Sequence, residues 1–283
     1  MDKTALVLEG GGMRGVFTAG VLDFFIDKKI TFDNVTGVSA GAGHAVSYLS
    51  SQRERAYRVN VDYLDDKRYC SLRSLITTGD LFGADMLYKE IPEKLNKYDY
   101  DAYLMQNAVF RAVVTDCETG RAEYPVIREM HNDIQYVRAS ASLPFVSRMV
   151  DIGGGKFLDG GISDPIPFEH MIDLGCNKVV TVLTRPYGYR KKSSVGGNLA
   201  AAMLYPKYKR LREAMRDRAE LYNSTLDALE EAEAMNEVFV IRPPASLGIG
   251  RLEKNKTSLE RAYRLGYVTA ERSYAALKKY LED

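Results

Sequence analysis

Cysteine is scarce in this 283-residue chain, and its scarcity excludes several chemistries. Cys70, Cys117 and Cys176 are odd in number and widely spaced. They form no CxxC pair for zinc or redox work, and a disulfide framework is not expected. Charge of one sign is missing as well. The 39 Lys and Arg face 38 Asp and Glu, so a net charge of +1 gives no global field to recruit nucleic acid. Long apolar runs are also absent, since no segment reaches the roughly 18 uninterrupted apolar residues of a membrane span. Met1-Asp2-Lys3-Thr4 has neither the basic region nor the apolar core of a signal peptide. The expectation is a soluble, cytoplasmic protein without nucleic acid as a partner.

Hydrophobic residues make up 46% of the chain, enough to bury a sizeable core. Ala5–Leu8 is a short apolar run that predicts a buried strand, followed by a Gly-rich loop and apolar residues at helical spacing from Val16 to Asp27. Val35–Val38 predicts a second strand and Ala42–Leu49 a second helix. This alternation points to a mostly parallel sheet covered by helices. Further on, helices are expected at Asp85–Leu95 (despite Pro92), Asp133–Ala141 capped by Asp133, and Phe168–Leu174 closed by Gly175. Strands are expected at Val109–Thr115 and Lys178–Leu183, with a hairpin of Met149–Ile152 and Lys156–Leu158 around Gly153-Gly154-Gly155. A long helix from Pro206 to about Met235, a strand at Val238–Ile241 and a last helix at Ser258–Leu281 complete the pattern. The organisation read from this is a core at residues 1–185 and a mainly helical extension at 186–283.

Gly10-Gly11-Gly12-Met13-Arg14-Gly15 lies between a strand and a helix. Glycines there turn the chain sharply and aim unhindered N–H groups at an anion, aided by the helix N-terminus. Such a loop suits a phosphate or the oxyanion of acyl transfer. It also satisfies GxGxxG, the dinucleotide fingerprint, which further wants an acidic residue at the end of the next strand. Asp33 instead precedes that strand, which ends in Gly37-Val38-Ser39.

Gly37-Val38-Ser39-Ala40-Gly41 is GxSxG, the pattern of a serine on a tight strand-to-helix turn between small neighbours. The turn pushes the Ser39 hydroxyl outward and sets the Ala40 N–H facing the same point. A Ser–His–Asp triad needs a histidine, and the chain offers only His44, His131 and His170. His44 lies one turn into the following helix and points away, His131 sits in a polar stretch, and His170 falls in an amphipathic helix. Asp159, in Phe157-Leu158-Asp159-Gly160-Gly161, is the better partner. A strand-end carboxylate between small residues can accept the serine proton directly, with burial and an oxyanion hole making up for a weak base. The acid limb of the rate profile is then expected below about pH 6.

GGGMRG at 10–15, GVSAG at 37–41 and DGG at 159–161, with Ala139-Ser140-Ala141-Ser142-Leu143-Pro144 upstream of the last, resemble the patatin-like phospholipases over about residues 4–185. The resemblance implies a three-layer α/β/α sandwich with a mostly parallel sheet, related to the α/β-hydrolases. It implies a Ser–Asp dyad of Ser39 and Asp159, an oxyanion hole from the N–H groups of Gly11 and Gly12, and hydrolysis of lipid acyl esters with no metal or cofactor. Arg14 would steady the loop or meet a substrate phosphate. DGG stands where DGA is commoner in the family.

Between Arg185 and Arg218 there are ten Lys and Arg against two acids, Glu213 and Asp217, with Tyr187, Tyr189, Tyr205 and Tyr208 interleaved. This stretch suits either an anionic membrane surface or an ordinary solvated helix. Arg68–Phe82 is a candidate lid. The alternative to an enzyme is a non-catalytic lipid- or nucleotide-binding protein on the same fold.

Overall fold

The computed structural model describes residues 3–193 and 195–282. Eight strands form one sheet: β1 (Thr4–Leu8), β2 (Asn34–Val38), β3 (Val109–Asp116), β4 (Ala122–Glu123), β5 (Val150–Ile152), β6 (Gly155–Asp159), β7 (Lys178–Val182) and β8 (Val238–Ile241). The order is β5-β6-β3-β2-β1-β7-β8, with β4 paired to β3 off this path. The five strands from β3 to β8 run parallel, and β4, β5 and β6 pair antiparallel. The described helices are α1 (Val16–Asp27), α2 (Ala40–Leu49), α3 (Arg55–Val61), α4 (Leu72–Thr78), α5 (Tyr100–Met105), α6 (Met130–Ser140), α7 (Phe168–Asp173), α8 (Val195–Leu204), α9 (Lys209–Ala234) and α10 (Lys256–Glu282).

Alternation along the strands builds three layers. Leu6 and Leu8 of β1 face the side covered by α1, α2 and α10, together with Val35, Val180 and Val182. Ala5 and Val7 face α7 and α9, packing on Phe168, Met171, Tyr222, Leu226 and Leu229. Both faces of β1 are therefore apolar, as a central parallel strand requires. Each fully buried large side chain contributes about 1.5–3 kcal/mol. Residues 186–283 supply α8, β8, α9 and α10, and β8 extends the sheet beyond β7 in parallel. Along the opposite face α10 lies on α1, with Tyr267 edge-on to Phe24 at 5.4 Å between ring centres. Its tyrosine hydroxyls reach acids of α1: Tyr263 donates to Asp23 at 2.6 Å and Tyr267 to Asp27 at 2.9 Å.

The fold class is the expected one, and several local expectations need correcting. Met86–Leu95 is helical as expected and is a π-helix with Pro92 in its interior. Helix α6 begins at Met130, and Asp133 reaches back to accept the Arg128 and Glu129 N–H groups at 2.7 and 3.0 Å. The long helix starts at Lys209, and a separate helix, α8, precedes Pro206. Arg68–Phe82 is tied at its ends by a bridge between Cys70 and Phe82 and holds α4 between them. Leu72 and Ile76 are exposed on α4. No described helix is long and apolar enough to cross a membrane.

Candidate active site

Ser39 occupies the turn between β2 and α2 with φ 55° and ψ −122°. A non-glycine residue held there costs on the order of 1–3 kcal/mol, so its surroundings must enforce the strain. Two small neighbours make the turn possible. A Cβ on Gly37 would come within 2.6 Å of the Ala42 backbone, and one on Gly41 would run into the Leu8 carbonyl. The Ser39 N–H donates to Ser140 Oγ at 2.9 Å, which anchors the turn to the end of α6. Ser39 itself is 8% exposed, open only to the cavities beside it.

The Gly-rich loop leaves β1 and makes a 3₁₀ turn, Gly12–Gly15, before α1 starts. Gly12 is left-handed at φ +56°, and a Cβ there would stand 2.6 Å from the Arg251 carbonyl oxygen. That same oxygen accepts the Met13 N–H at 3.0 Å. A backbone group from the β8–α10 connection therefore clamps the loop. Among the described residues, no backbone acceptor takes the N–H of Gly11 or Gly12. Arg14 is buried at 6% exposure with Nε unpartnered. Burial and the neighbouring Arg185 lower its pKa to about 10.

Asp159 ends β6 and is 1% exposed. Its N–H donates to the Ser142 carbonyl at 2.9 Å, and its Oδ1 accepts the Gly161 N–H at 2.8 Å. Oδ2 is buried with no partner. Burial pushes the Asp159 pKa up, while Arg218, the nearby Ser39 hydroxyl, the Gly161 N–H and Arg251 oppose the rise. The serine hydroxyl is thus near enough to be felt but is not seated on Oδ2, a slack common before substrate arrives. In the sequence Ser140 and Ser142 are legible only as part of a motif. Their work is to hold the nucleophile and the carboxylate in one frame.

The three histidines fall elsewhere. His170 stacks on Tyr124 at 3.6 Å and lines neither cavity beside Ser39. His131 stacks on Tyr100 at 3.8 Å at the mouth of one of them. His44 is buried in that cavity's wall, and burial lowers its pKa to about 4. Asp33 accepts the Thr4 N–H and hydroxyl, both at 2.8 Å, at the end of β2 remote from the loop. It is a tie between strands and is out of place for a ribose. Among the described residues no group of three or more His, Cys, Asp or Glu is arranged to hold a metal ion.

Two cavities meet at Gly12, Ser39 and Leu143. One, of about 340 Å³, is walled mainly by apolar and aromatic groups, among them Val46, Val59, Tyr69, Phe82, Leu87 and Ile134. The other, of about 40 Å³, is polar and holds Asp159 with Arg14, Arg185, Lys191, Arg218 and Arg251. The ten cations of the 185–218 stretch thus divide by direction. Arg190 pairs with Asp227 and Glu230, and Arg216 with Asp217, whereas Arg185, Lys191 and Arg218 turn inward to the site.

A mostly parallel sheet with a serine elbow opening on an apolar cavity defines the class: a lipid acyl hydrolase of α/β type. Residues 6–172 match the model of the patatin-like phospholipases, and the chain belongs to that family. Residues 208–282 match a domain of unknown function, DUF6363. The chain is 27% identical to the uncharacterised protein YjjU of Escherichia coli K12, covering 99% of this chain and 80% of that one. It is 24% identical to lysophospholipase NTE1 of Candida albicans, across 98% of this chain but only 20% of that much longer protein. Among solved structures, VipD from Legionella pneumophila superimposes with a TM-score of 0.52 at 13% identity, over 99% of this chain and 67% of its own. That likeness concerns the fold.

Proposed function

We propose that the protein hydrolyses acyl esters of lipids through a Ser39–Asp159 dyad, without histidine and without a cofactor. The observation that carries this reading is the position of Ser39, where an apolar cavity, the Gly-rich loop and the unpartnered Asp159 Oδ2 converge. Ser39 Oγ gives its proton to Asp159 Oδ2 as it attacks the ester carbonyl carbon. The N–H groups of Gly11 and Gly12 receive the resulting oxyanion. Collapse breaks the ester C–O bond, and the leaving alkoxide takes the proton back from Asp159. Water then gives a proton to the same carboxylate as it attacks the acyl-serine carbonyl carbon, and the Oγ–C bond breaks with Ser39 Oγ taking that proton back. The acyl chain lies in the apolar cavity. Arg14 steadies the loop and faces the polar side of the substrate. Residues 1–185 act as the hydrolase core, with the extension 186–283 completing the polar side. A cytoplasmic enzyme meeting anionic membrane peripherally fits three buried free cysteines and the exposed cations of the basic stretch.

Burial alters the expected pH profile. Because burial raises the Asp159 pKa, the acid limb shifts to higher pH than an exposed carboxylate would give. Mutagenesis separates Asp159 from histidine as the base. Hydrolysis of a medium-chain p-nitrophenyl ester should fall at least about 10³-fold in Ser39→Ala and Asp159→Ala and persist in His170→Ala. Activity surviving in Ser39→Ala would remove Ser39 as the nucleophile, and no hydrolysis of any ester by the native protein would leave a lipid-binding protein on a hydrolase fold.

A further inference from the structure

Among the described residues, the small polar cavity beside Ser39 carries more positive than negative charge. Five cations line it, Arg14, Arg185, Lys191, Arg218 and Arg251, against two carboxylates, Glu9 and Asp159. Glu9 is occupied by neutral donors: Tyr222 gives its hydroxyl to Oε1 at 2.6 Å, and Thr184 gives N–H and hydroxyl to Oε2 at 2.6 and 3.0 Å. Among the described residues, none of the five cations forms an ion pair. Arg14 Nε is buried and unpartnered. Cations gathered this closely in a half-enclosed space repel one another, and an anionic ligand is what relieves them.

We propose that the substrate's polar end is a phosphate monoester, held by Arg185, Lys191, Arg218 and Arg251. This rests on the acyl hydrolase reading and narrows it to one headgroup class. All four residues lie outside the 6–172 patatin segment, Arg218 and Arg251 within the 208–282 DUF6363 match, so the selectivity would come from the C-terminal part. Three features favour a bare phosphate over one bearing a choline or ethanolamine. The cavity's 40 Å³ is room for a group on the order of three waters in size. Its aromatic faces are already taken, since the Arg185 guanidinium lies 4.3 Å from the Tyr189 ring centre and Lys191 Nζ 3.9 Å from that of Tyr222. A ligand ammonium would find like charge where it needs a free ring. A monoester also carries close to two charges at neutral pH, matching the excess of cations.

The site is built. The Lys191 N–H donates to Asn223 Oδ1 at 2.7 Å and the Lys191 carbonyl accepts from Asn223 Nδ2 at 3.0 Å, which pins the segment to α9. Arg218 Nε donates to the Gly161 carbonyl at 2.6 Å, one turn from Asp159. Lys191 shares the cavity with Glu9 and Arg14 after β1, Asp159 at the end of β6, Arg185 and Tyr189 after β7, Arg218 and Tyr222 of α9 and Arg251 before α10. Burial and then Arg218 and Arg251 depress its pKa to about 7. With rising pH the phosphate gains its second charge near pH 6 and Lys191 then loses its own near pH 7.

The test compares three substrates of one acyl chain: monoacylglycerol 3-phosphate, the matching phosphocholine diester and the uncharged monoacylglycerol. The monoester should be preferred about tenfold or more in kcat/KM over either rival. Lys191→Gln and Arg251→Gln should each lower the ratio of monoester to uncharged substrate about tenfold. The basic limb of the monoester profile near pH 7 should disappear in Lys191→Arg. Equal rates on all three, or preference for the phosphocholine diester, would overturn the proposal while leaving the acyl hydrolase reading intact. Failure on every ester, with no fluorophosphonate label at Ser39, would sink that reading and this one together. Binding of inorganic phosphate measured by calorimetry, without any advantage of the monoester lipid, would assign the pocket to free phosphate and overturn the lipid assignment.

Discussion

The two cavities that meet at Ser39 treat charge in opposite ways. In the apolar one, burial holds His44, Tyr88 and Tyr98 neutral, while the buried cation of its wall, Arg55, lies over the Tyr98 ring and donates to Ser47 and the Asn96 carbonyl. His44 is driven down to about 4, and Tyr88 and Tyr98 are driven up beyond the range where they ionise. In the cationic one, burial is just as real but the arginine charges stay, because guanidiniums do not deprotonate near neutral pH, while Lys191 is pushed down to about 7. The apolar wall is made mainly from residues before 144. The cationic wall takes Arg185, Tyr189, Lys191, Arg218, Tyr222 and Arg251 from the later part of the chain. On the proposed reading, one half of the molecule makes room for a chain and the other for an anion, with Ser39 at their boundary.

Breaking the boundary itself should have the largest effect. Gly12 lines both cavities, is left-handed, and has the Arg251 carbonyl where a Cβ would go. Gly12→Ala must displace the loop and swing its N–H away from the oxyanion. The expected loss is about 10²–10³ in kcat, the range for removing one oxyanion donor, on charged and uncharged substrates alike. A loss confined to phosphorylated substrates would mean that Gly12 serves the anion side alone.

Breaking only the apolar side should separate substrates by chain length. Gly43, one turn after Ser39, lines the large cavity, and a Cβ added there would meet nothing within 4 Å. Gly43→Leu projects into that space and removes a glycine from the interior of α2. Long-chain hydrolysis should fall about tenfold or more while a two- or three-carbon acyl ester is spared. The fold should gain on the order of 0.5–1 kcal/mol in urea unfolding. An equal fall for short and long chains would place the acyl group elsewhere.

How much of this is legible in the sequence divides along the same boundary. Strands with continuous apolar runs, such as Ala5–Leu8 and Val238–Ile241, announce themselves, and so does α1, whose apolar spacing runs from Val16 to Asp27. GxSxG and the glycine loop are local patterns, readable because the strain of one turn is met by adjacent residues. Helix α8, Val-Gly-Gly-Asn-Leu-Ala-Ala-Ala-Met-Leu, escapes a sequence reading, because glycines and alanines give little contrast between faces. The cationic cavity is not legible at all. Arg185, Lys191, Arg218 and Arg251 belong to different segments, and the sequence shows them among solvated neighbours such as Arg190 and Arg216. Only the fold sorts inward cations from outward ones.

The smallest expected effect sharpens the contrast in charge. His44 is 3% exposed, its Nε2 has no partner, and burial alone depresses its pKa from 6.5 to about 4. Between those values the unfolded chain binds the proton and the native protein does not, so acid favours unfolding. The neutral imidazole's contribution is full above about pH 6.5 and is lost as pH falls toward 4, on the order of 3 kcal/mol in all. His44→Leu has no proton to take up there. Urea unfolding of both proteins should show the variant gaining on the native chain as pH drops from 7 to 5, while at pH 7 the two differ by about 1 kcal/mol or less. A difference that stays constant over that range would mean that His44 is already charged in the native protein at pH 7, against the burial that surrounds it.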